Sequence, residues 1–338
     1  MNKRALRADI LLLVTAAVWG FGFIAQRSGM EFIGPFAFNG IRFILGSVSL
    51  LPFIFFRRFH SAQVTASPRY MILPSLAAGI CLFFAVILQQ FGIIFTTAGN
   101  AGFITGLYVV LTPFFGIFLG RKTGYATWIG SVLTLCGLYF ISAAGRPSIN
   151  PGDIIVIISA FFWAFHVLLI DRFIHSDAKH NVSQETAVDP LELSFGQFAV
   201  CGVFTLFGSF LIEPHVIAAV ERINTSLLNE GLFSWLPLPE LITEIKHGTV
   251  MFPVGALIPV LYGGLGSVGI AYTLQVIAQR DAPPAHATII LCFEGCFAAL
   301  GGVLLLSEKI GVWTLLGFIF MFAGMLATQW EVIAKSRE

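Results

Sequence analysis

Ten stretches of about 20 apolar residues, each long enough to cross the ~30 Å hydrocarbon core of a bilayer, dominate this chain. They run approximately over 9–27, 34–56, 70–94, 98–119, 125–143, 152–171, 194–213, 250–276, 283–306 and 311–331. The expected fold class is therefore an all-α polytopic membrane protein with ten transmembrane helices, and the lipid bilayer is its expected surrounding. Composition agrees: 57% of the 338 residues are hydrophobic and 11% charged, where a soluble chain carries about 25% charge. Mean hydropathy is +0.87. A net charge of +1 gives no reason to expect a nucleic-acid partner.

Basic residues orient the spans. With the amino terminus inside, the inner segments hold Lys3, Arg4, Arg7, Arg57, Arg58, Arg69, Arg121, Lys122, Arg172, Lys179, Arg280, Lys335 and Arg337. Short outer loops hold Arg27, Arg146 and Lys309, and a long one adds Arg222 and Lys246. This bias predicts both termini on the cytoplasmic side of a cell membrane, with a bacterial inner membrane expected. The charged start also reads like a signal peptide, but no small-residue cleavage site follows it. The outer loop at about 214–248 carries Ile217, Val220, Ile223, Leu227 and Leu228 at helical spacing. It predicts an amphipathic helix on the outer surface, anchored by Trp235. Within it, Asn224-Thr225-Ser226 matches a glycosylation acceptor only at tripeptide level.

The two halves resemble each other. Residues 12–24, LLVTAAVWGFGFI, read like residues 156–168, VIISAFFWAFHVL. Thr15 then matches Ser159, Trp19 matches Trp163 and Phe21 matches Phe165. Near the end of each half, Gly130 and Gly137 recur as Gly317 and Gly324. Each half holds five spans, an odd number, so the second copy is upside down relative to the first. Two inverted five-helix repeats are expected, 9–143 and 152–331, with the outer loop as an insertion. That arrangement is the signature of secondary transporters, whose solute sits near the midplane between the halves.

Ala17-Val18-Trp19-Gly20, Ile41-Arg42-Phe43 and the run TTAGNAGFITGLYVVLTPFFGIFLGRK at 96–122 resemble the EamA branch of the drug/metabolite transporter superfamily. So do FEGCFAALGGVLLLSEKIGVW at 293–313 and LLGFIFMFAGMLA at 315–327. The resemblance covers nearly the whole chain. It implies ten helices in two inverted repeats and transport of small metabolites or drug-like solutes, often by export or exchange. Members often carry Glu-Pro where this chain has Glu294-Gly295. Many first repeats have Glu after the fourth helix where this chain has Arg121, while the second repeat keeps Glu308.

Glu294 lies in the apolar run Thr288–Leu306, where a carboxylate costs roughly 2.5–3.5 kcal/mol. It is a candidate proton carrier, counter-ion for a cationic solute, or partner of Arg42 in the second span. Arg42 could equally snorkel or cap backbone carbonyls. Trp19 and Trp163 could line a cavity for amphipathic or cationic solutes, or pack helices. His166, deep in the sixth span, could relay protons. Gln89 and Gln90, with Asn39, Gln197 and Gln275, add hydrogen-bonding capacity and could equally join helices.

Cys292 and Cys296 flank Glu294, but two thiols and one carboxylate fall short of a metal site. With Cys81, Cys136 and Cys201 they read as buried apolar residues, so no metal or cofactor is expected. Gly102, Gly106, Gly116 and Gly120 predict close helix contact along the fourth span. The paired glycines of the fifth and tenth spans place those helices at the periphery or at a dimer contact, leaving room for a homodimer. The rival classes are a membrane enzyme and a channel. No catalytic constellation or ATP-binding loop appears, and no filter-like sequence. The expectation is a non-enzymatic secondary transporter of a small-molecule solute, exporter or exchanger, working by alternating access without ATP.

Overall fold

The computed structural model describes residues 3–30, 32–60, 68–96, 98–121, 123–143, 151–175, 188–214, 254–306 and 311–335. The described residues form helices: α1 (Lys3–Met30), α2 (Pro35–His60), α3 (Pro68–Phe95), α4 (Ala98–Thr105), α5 (Tyr108–Phe118), α6 (Tyr125–Ala143), α7 (Pro151–His175) and α8 (Pro190–Leu211). They continue with α9 (Val254–Leu261), a π-helical stretch Tyr262–Tyr272, α10 (Thr273–Ala278), α11 (Pro284–Leu291), α12 (Glu294–Leu306) and α13 (Val312–Lys335). Seven helical segments among them are long and apolar enough to cross a membrane, and shorter apolar helices fall within the fourth, fifth and tenth expected spans. The expected outer-loop helix with Trp235, and Glu308, lie outside the described residues.

Local sequence sets the helix ends. Asp189 caps α8, its carboxylate accepting from Leu191 N at 3.0 Å and Glu192 N at 3.1 Å, with Pro190 at the first helical position, where no donor is lost. Gly120 closes α5 with φ of 73°. Arg121 N reaches back to Gly116 O at 2.8 Å and Gly120 N to Ile117 O at 2.9 Å, the paired bonds that end a helix on a left-handed glycine. Gly120 is thus a turn residue and faces open space, while a Cβ on Gly116 would meet Leu168 of α7 at 3.8 Å, so of the expected pair only Gly116 lies at a helix contact.

Two expected spans are interrupted. The fourth breaks at Gly106-Leu107 and the ninth at Cys292-Phe293. At both breaks the backbone tightens from i−4 to i−3 bonding, as in Leu107 N to Ile104 O and Phe293 N to Ile290 O, both 3.1 Å. The breaks meet: Cys292 Sγ lies 3.6 Å from Gly106 O. Glu294 is therefore not mid-helix, as its place in the apolar run suggests, but the first residue of α12.

Close contacts are made where side chains are absent. α6 packs along α13, α2 along α8, α3 along α7, and α1 against α12 and the π stretch. At the α6–α13 contact a Cβ on Gly130 would stand 2.7 Å from Gly324 O, and one on Gly137 2.6 Å from Gly317 O. First meets last and last meets first, so these two helices cross antiparallel. Those glycines pack against each other inside the chain. Apolar side chains such as Phe53, Phe59, Phe207, Phe210 and Ile258 face outward, as lipid requires and water would not tolerate.

Ion pairs tie segments that the basic-residue bias assigns to one face. Arg57 pairs with Asp189 at 2.7 Å, Arg58 with Glu192 at 2.9 Å, Arg121 with Asp171, and His286 with Asp9 at 2.8 Å. Away from that face the ties are hydrogen bonds: Thr96 Oγ1 donates to Asp153 Oδ1 at 2.6 Å, and Phe36 N to Glu213 Oε1 at 3.3 Å.

Candidate functional site

Side chains from α1, α2, α3, α4, α5, α7, α10, α11, α12 and the π stretch enclose one central cavity. Its walls include Trp19, Gln26, Arg42, Gln89, Thr105, Tyr108, Trp163, Ser267, Tyr272, Gln275 and Glu294. The structure thus brings together six residues expected from the sequence: Glu294, Arg42, Trp19, Trp163, Gln89 and Gln275. The open space is about 30 Å³, enough for about two waters at 10–15 Å³ each. Ligand sites for small molecules take roughly 300–1,000 Å³, so the cavity as it stands is closed to a metabolite.

Aromatic rings fill most of the space. Tyr272 sits 4.5 Å from Trp19 and 6.0 Å from Trp163, stacked on the latter at 19°. The two tryptophans are 6.3 Å apart, and Phe43 and Phe198 flank Tyr272 at 5.9 and 5.8 Å. Such centroid distances are those of favourable aromatic pairs. Trp19 Nε1 donates to Ser267 O at 3.4 Å, and Thr15 Oγ1 to Ala271 O at 3.1 Å. These bonds fasten α1 to the π stretch that delivers Tyr272.

Glu294 is 5% exposed. Among the described residues no basic group lies within 4.0 Å of its carboxylate, so it is not in an ion pair with Arg42. Arg42 is 2% exposed. Its Nε donates to Asn39 Oδ1 at 2.8 Å, and its guanidinium lies over Phe38 and Phe43 at 5.4 and 5.1 Å, a cation–π arrangement. It neither snorkels nor caps carbonyls.

The remaining candidates lie elsewhere. His166 Nε2 meets Gln197 Oε1 at 2.8 Å, joining α7 to α8 behind Trp163. Gln90 Nε2 donates to Gln26 O at 3.5 Å, joining α3 to α1. Neither lines the cavity. Gln89 does, and donates to Thr105 Oγ1 at 2.9 Å. Cys292 and Cys296 diverge, the first toward Gly106 O and the second to Met321 Sδ at 3.3 Å.

Sequence reasoning missed Tyr272, Tyr108, Ser267, Thr105 and Gln26. An amphipathic ring inside an apolar run looks like any lipid-facing aromatic. The signal for Tyr272 was the glycine-rich stretch before it, with Gly263, Gly264, Gly266 and Gly269. Among the described residues, three buried polar atoms of the walls have no protein partner: Gln26 Oε1, Trp163 Nε1 and Gln275 Oε1. Leaving such an atom unmade costs about 1–3 kcal/mol. Water or solute must answer them.

A bundle of apolar helices around a closed polar cavity defines an integral membrane protein built to handle a small solute. The EamA-like transporter family model matches residues 6–143 and again 150–329. The chain belongs to this family and is a membrane transporter. An uncharacterized transporter of Archaeoglobus fulgidus is 26% identical over 306 residues, covering 90% of this chain and 80% of that protein. A second from the same organism is 25% identical over 95% of this chain and 97% of its own length. The uncharacterized inner membrane transporter YedA of Escherichia coli is 24% identical over 44% of this chain and 48% of its own. A crystal structure with 15% identity covers 98% of both chains at a TM-score of 0.69, a likeness of fold.

Proposed function

We propose that the protein is a secondary transporter of a small polar metabolite or drug-like solute, exporter or exchanger, working by alternating access without ATP. Its ten spans form two inverted five-helix repeats, 9–143 and 152–331, with both termini cytoplasmic. The observation that carries the reading is the meeting of Trp19 and Trp163, matched positions of the two repeats, at 6.3 Å in the wall of one closed cavity. Three further features support it. The family model matches twice, once in each half. The fifth-span and tenth-span helices cross antiparallel with reciprocal glycine contacts, as a two-fold relation between repeats requires. The broken fourth and ninth spans touch at their breaks, and broken helices around a central site are a transporter feature.

In this reading Glu294 carries the proton or meets a cationic group of the solute. Arg42, held by Asn39, offers positive charge to its other end. Trp19, Trp163 and Tyr272 stack on its body, and Gln89 hydrogen-bonds. Since the cavity holds about two waters, solute binding requires the halves to part, and rocking them exposes the site to one face at a time. Counterflow of a labelled metabolite in proteoliposomes without ATP tests the proposal. It should proceed in the wild type, be lost in Glu294→Gln and persist in Glu308→Gln. Counterflow at full rate in Glu294→Gln would remove Glu294 from the mechanism.

A further inference from the structure

A second and larger cavity, about 440 Å³, opens at the face where the ion pairs gather. Arg121, Asp171, His175, Arg280 and Ala285 are among its walls. It shares α7 and α11 with the central cavity. On α7 the wall passes from Val167 in the central cavity to Asp171 in the outer one, a separation of ~6 Å at 1.5 Å per residue. From Gln275 on α10 it continues to Arg280 in the turn that follows α10, and along α11 it passes from Leu291 to Ala285. The two cavities are therefore stacked on one line through the bundle.

Gln279 lies between them. Its side chain is fully buried, and Nε2 donates to the backbone carbonyl of Val167 at 3.0 Å. Its Oε1 accepts from Gln275 Nε2 at 3.1 Å. Lower on the same seam His175 Nε2 meets Arg280 O at 3.1 Å. Val167 O sits on a long helix, so the bond from Gln279 is an extra one, and nothing in the α7 backbone is orphaned when it breaks. Gln275 belongs to the central wall, and its Oε1 is buried without a partner.

We infer that the Gln279–Val167 bond is the latch of a gate between the central site and the 440 Å³ vestibule, and that Gln275 reports occupancy to it. A solute that accepts a hydrogen bond from the Gln275 amide draws that amide off Gln279 Oε1. Gln279 is then held at one end only, and the seam between α7 and α10 can part. The inference rests on the central cavity being the solute site, but its test does not require transport.

Ser267, in the central wall, is replaced by Cys in a chain whose native cysteines are changed to Ala. Labelling by a membrane-impermeant thiol reagent is then read in sealed vesicles of each orientation. Gln279→Ala and the near-isosteric Gln279→Met should each raise the labelling rate from the vestibule face by about tenfold, the factor that goes with one hydrogen bond, and leave the opposite face unchanged. Monodisperse elution and a single cooperative melting transition establish that the variants are folded. If one fails to fold, the other carries the test. Rates equal to those of the parent in folded variants, or an equal rise from both faces, overturn the latch. Loss of counterflow with labelling still gated would instead count against the solute site.

Discussion

Gly20 is the point at which a single methyl group tests the geometry of the site. It lies on α1, one residue from Trp19, where α1 crosses the first turn of α12. A Cβ there would stand 2.6 Å from Glu294 O and 2.8 Å from Ala298 N, with Phe297 Cβ also in the way. Ordinary contacts to carbon need about 3.5–4.0 Å, so Gly20→Ala forces α12 back by on the order of 1 Å. The obstacles are backbone atoms, which cannot rotate aside. Overpacking of this kind costs about 1–3 kcal/mol, and the displaced turn carries Glu294. In enzyme sites a 1 Å misplacement costs about 100-fold, and counterflow should fall by on the order of tenfold or more. Gly22 on the same helix is the control. A Cβ there meets nothing closer than Ser267 Oγ at 3.9 Å, so Gly22→Ala should be neutral or gain up to about 1 kcal/mol from helix propensity. Thermal unfolding in detergent and counterflow in proteoliposomes measure both. Equal behaviour of the two variants would refute the close α1–α12 contact and the placement of Glu294 that depends on it.

Trp163→Phe keeps a ring against Tyr272 and should leave counterflow nearly unchanged, whereas Trp163→Ala should raise the half-saturating solute concentration by about fivefold, the worth of roughly 1 kcal/mol of ring contact beyond area; equal effects would remove stacking from the account. Gly120→Ala places a Cβ on a residue with φ of 73° and should lower stability by about 1–2 kcal/mol without altering solute affinity, as melting and counterflow together would read. Arg121→Ala leaves the carboxylate of Asp171, 3% exposed, with His175 alone; the cost should be about 1–2 kcal/mol, held down because Arg121 is itself 42% exposed. The exchange Arg121→Asp with Asp171→Arg should recover part of that loss in the melting curve, and no recovery would mean that the pair does not govern the contact.

Much of the bundle was legible in the sequence because lipid leaves few choices. An apolar run of the right length becomes a helix, and α1, α2, α3, α7 and α8 follow the expected spans to within several residues. The residues at which helices break were not legible. Proline is the usual signal, yet Pro52, Pro74, Pro113 and Pro259 lie inside helices, while the breaks at Gly106-Leu107 and Cys292-Phe293 carry none. Packing decides there: the two interruptions lie against each other, and neither sequence contains the other's position. For the same reason Glu294 was found by its cost in lipid, while the helix start on which it sits was not. Arg42 was found by its charge, and its partner Asn39 by its polarity. That they join each other and leave Glu294 unpaired depends on rotamers that no spacing rule reports.

In the proposed cycle, the small cavity and the unmatched polar atoms of its walls belong to one state. Tyr272 reaches both tryptophans because the π-helical stretch ends at that residue; an α-helix over Tyr262–Tyr272 would turn the ring to another face, since π bonding spans i to i+5 and α bonding i to i+4. Gly263, Gly264, Gly266 and Gly269 give this stretch a backbone with little side-chain cost to rewinding. Gly46 of α2 is backed directly onto Gly264 O, 3.0 Å from where its Cβ would be, so the stretch cannot simply slide. Gly264 and Gly269 face α2 as closely, so the motion proposed is a local rewinding of the stretch towards α geometry. Rewinding would carry Tyr272 away from Trp19 and Trp163 and free the space that the solute needs. Locking the stretch by Gly266→Ala tests this. A Cβ there meets nothing nearer than 3.9 Å, so folding should be spared; counterflow should slow as the helix stiffens, and an unchanged rate would place the moving part elsewhere.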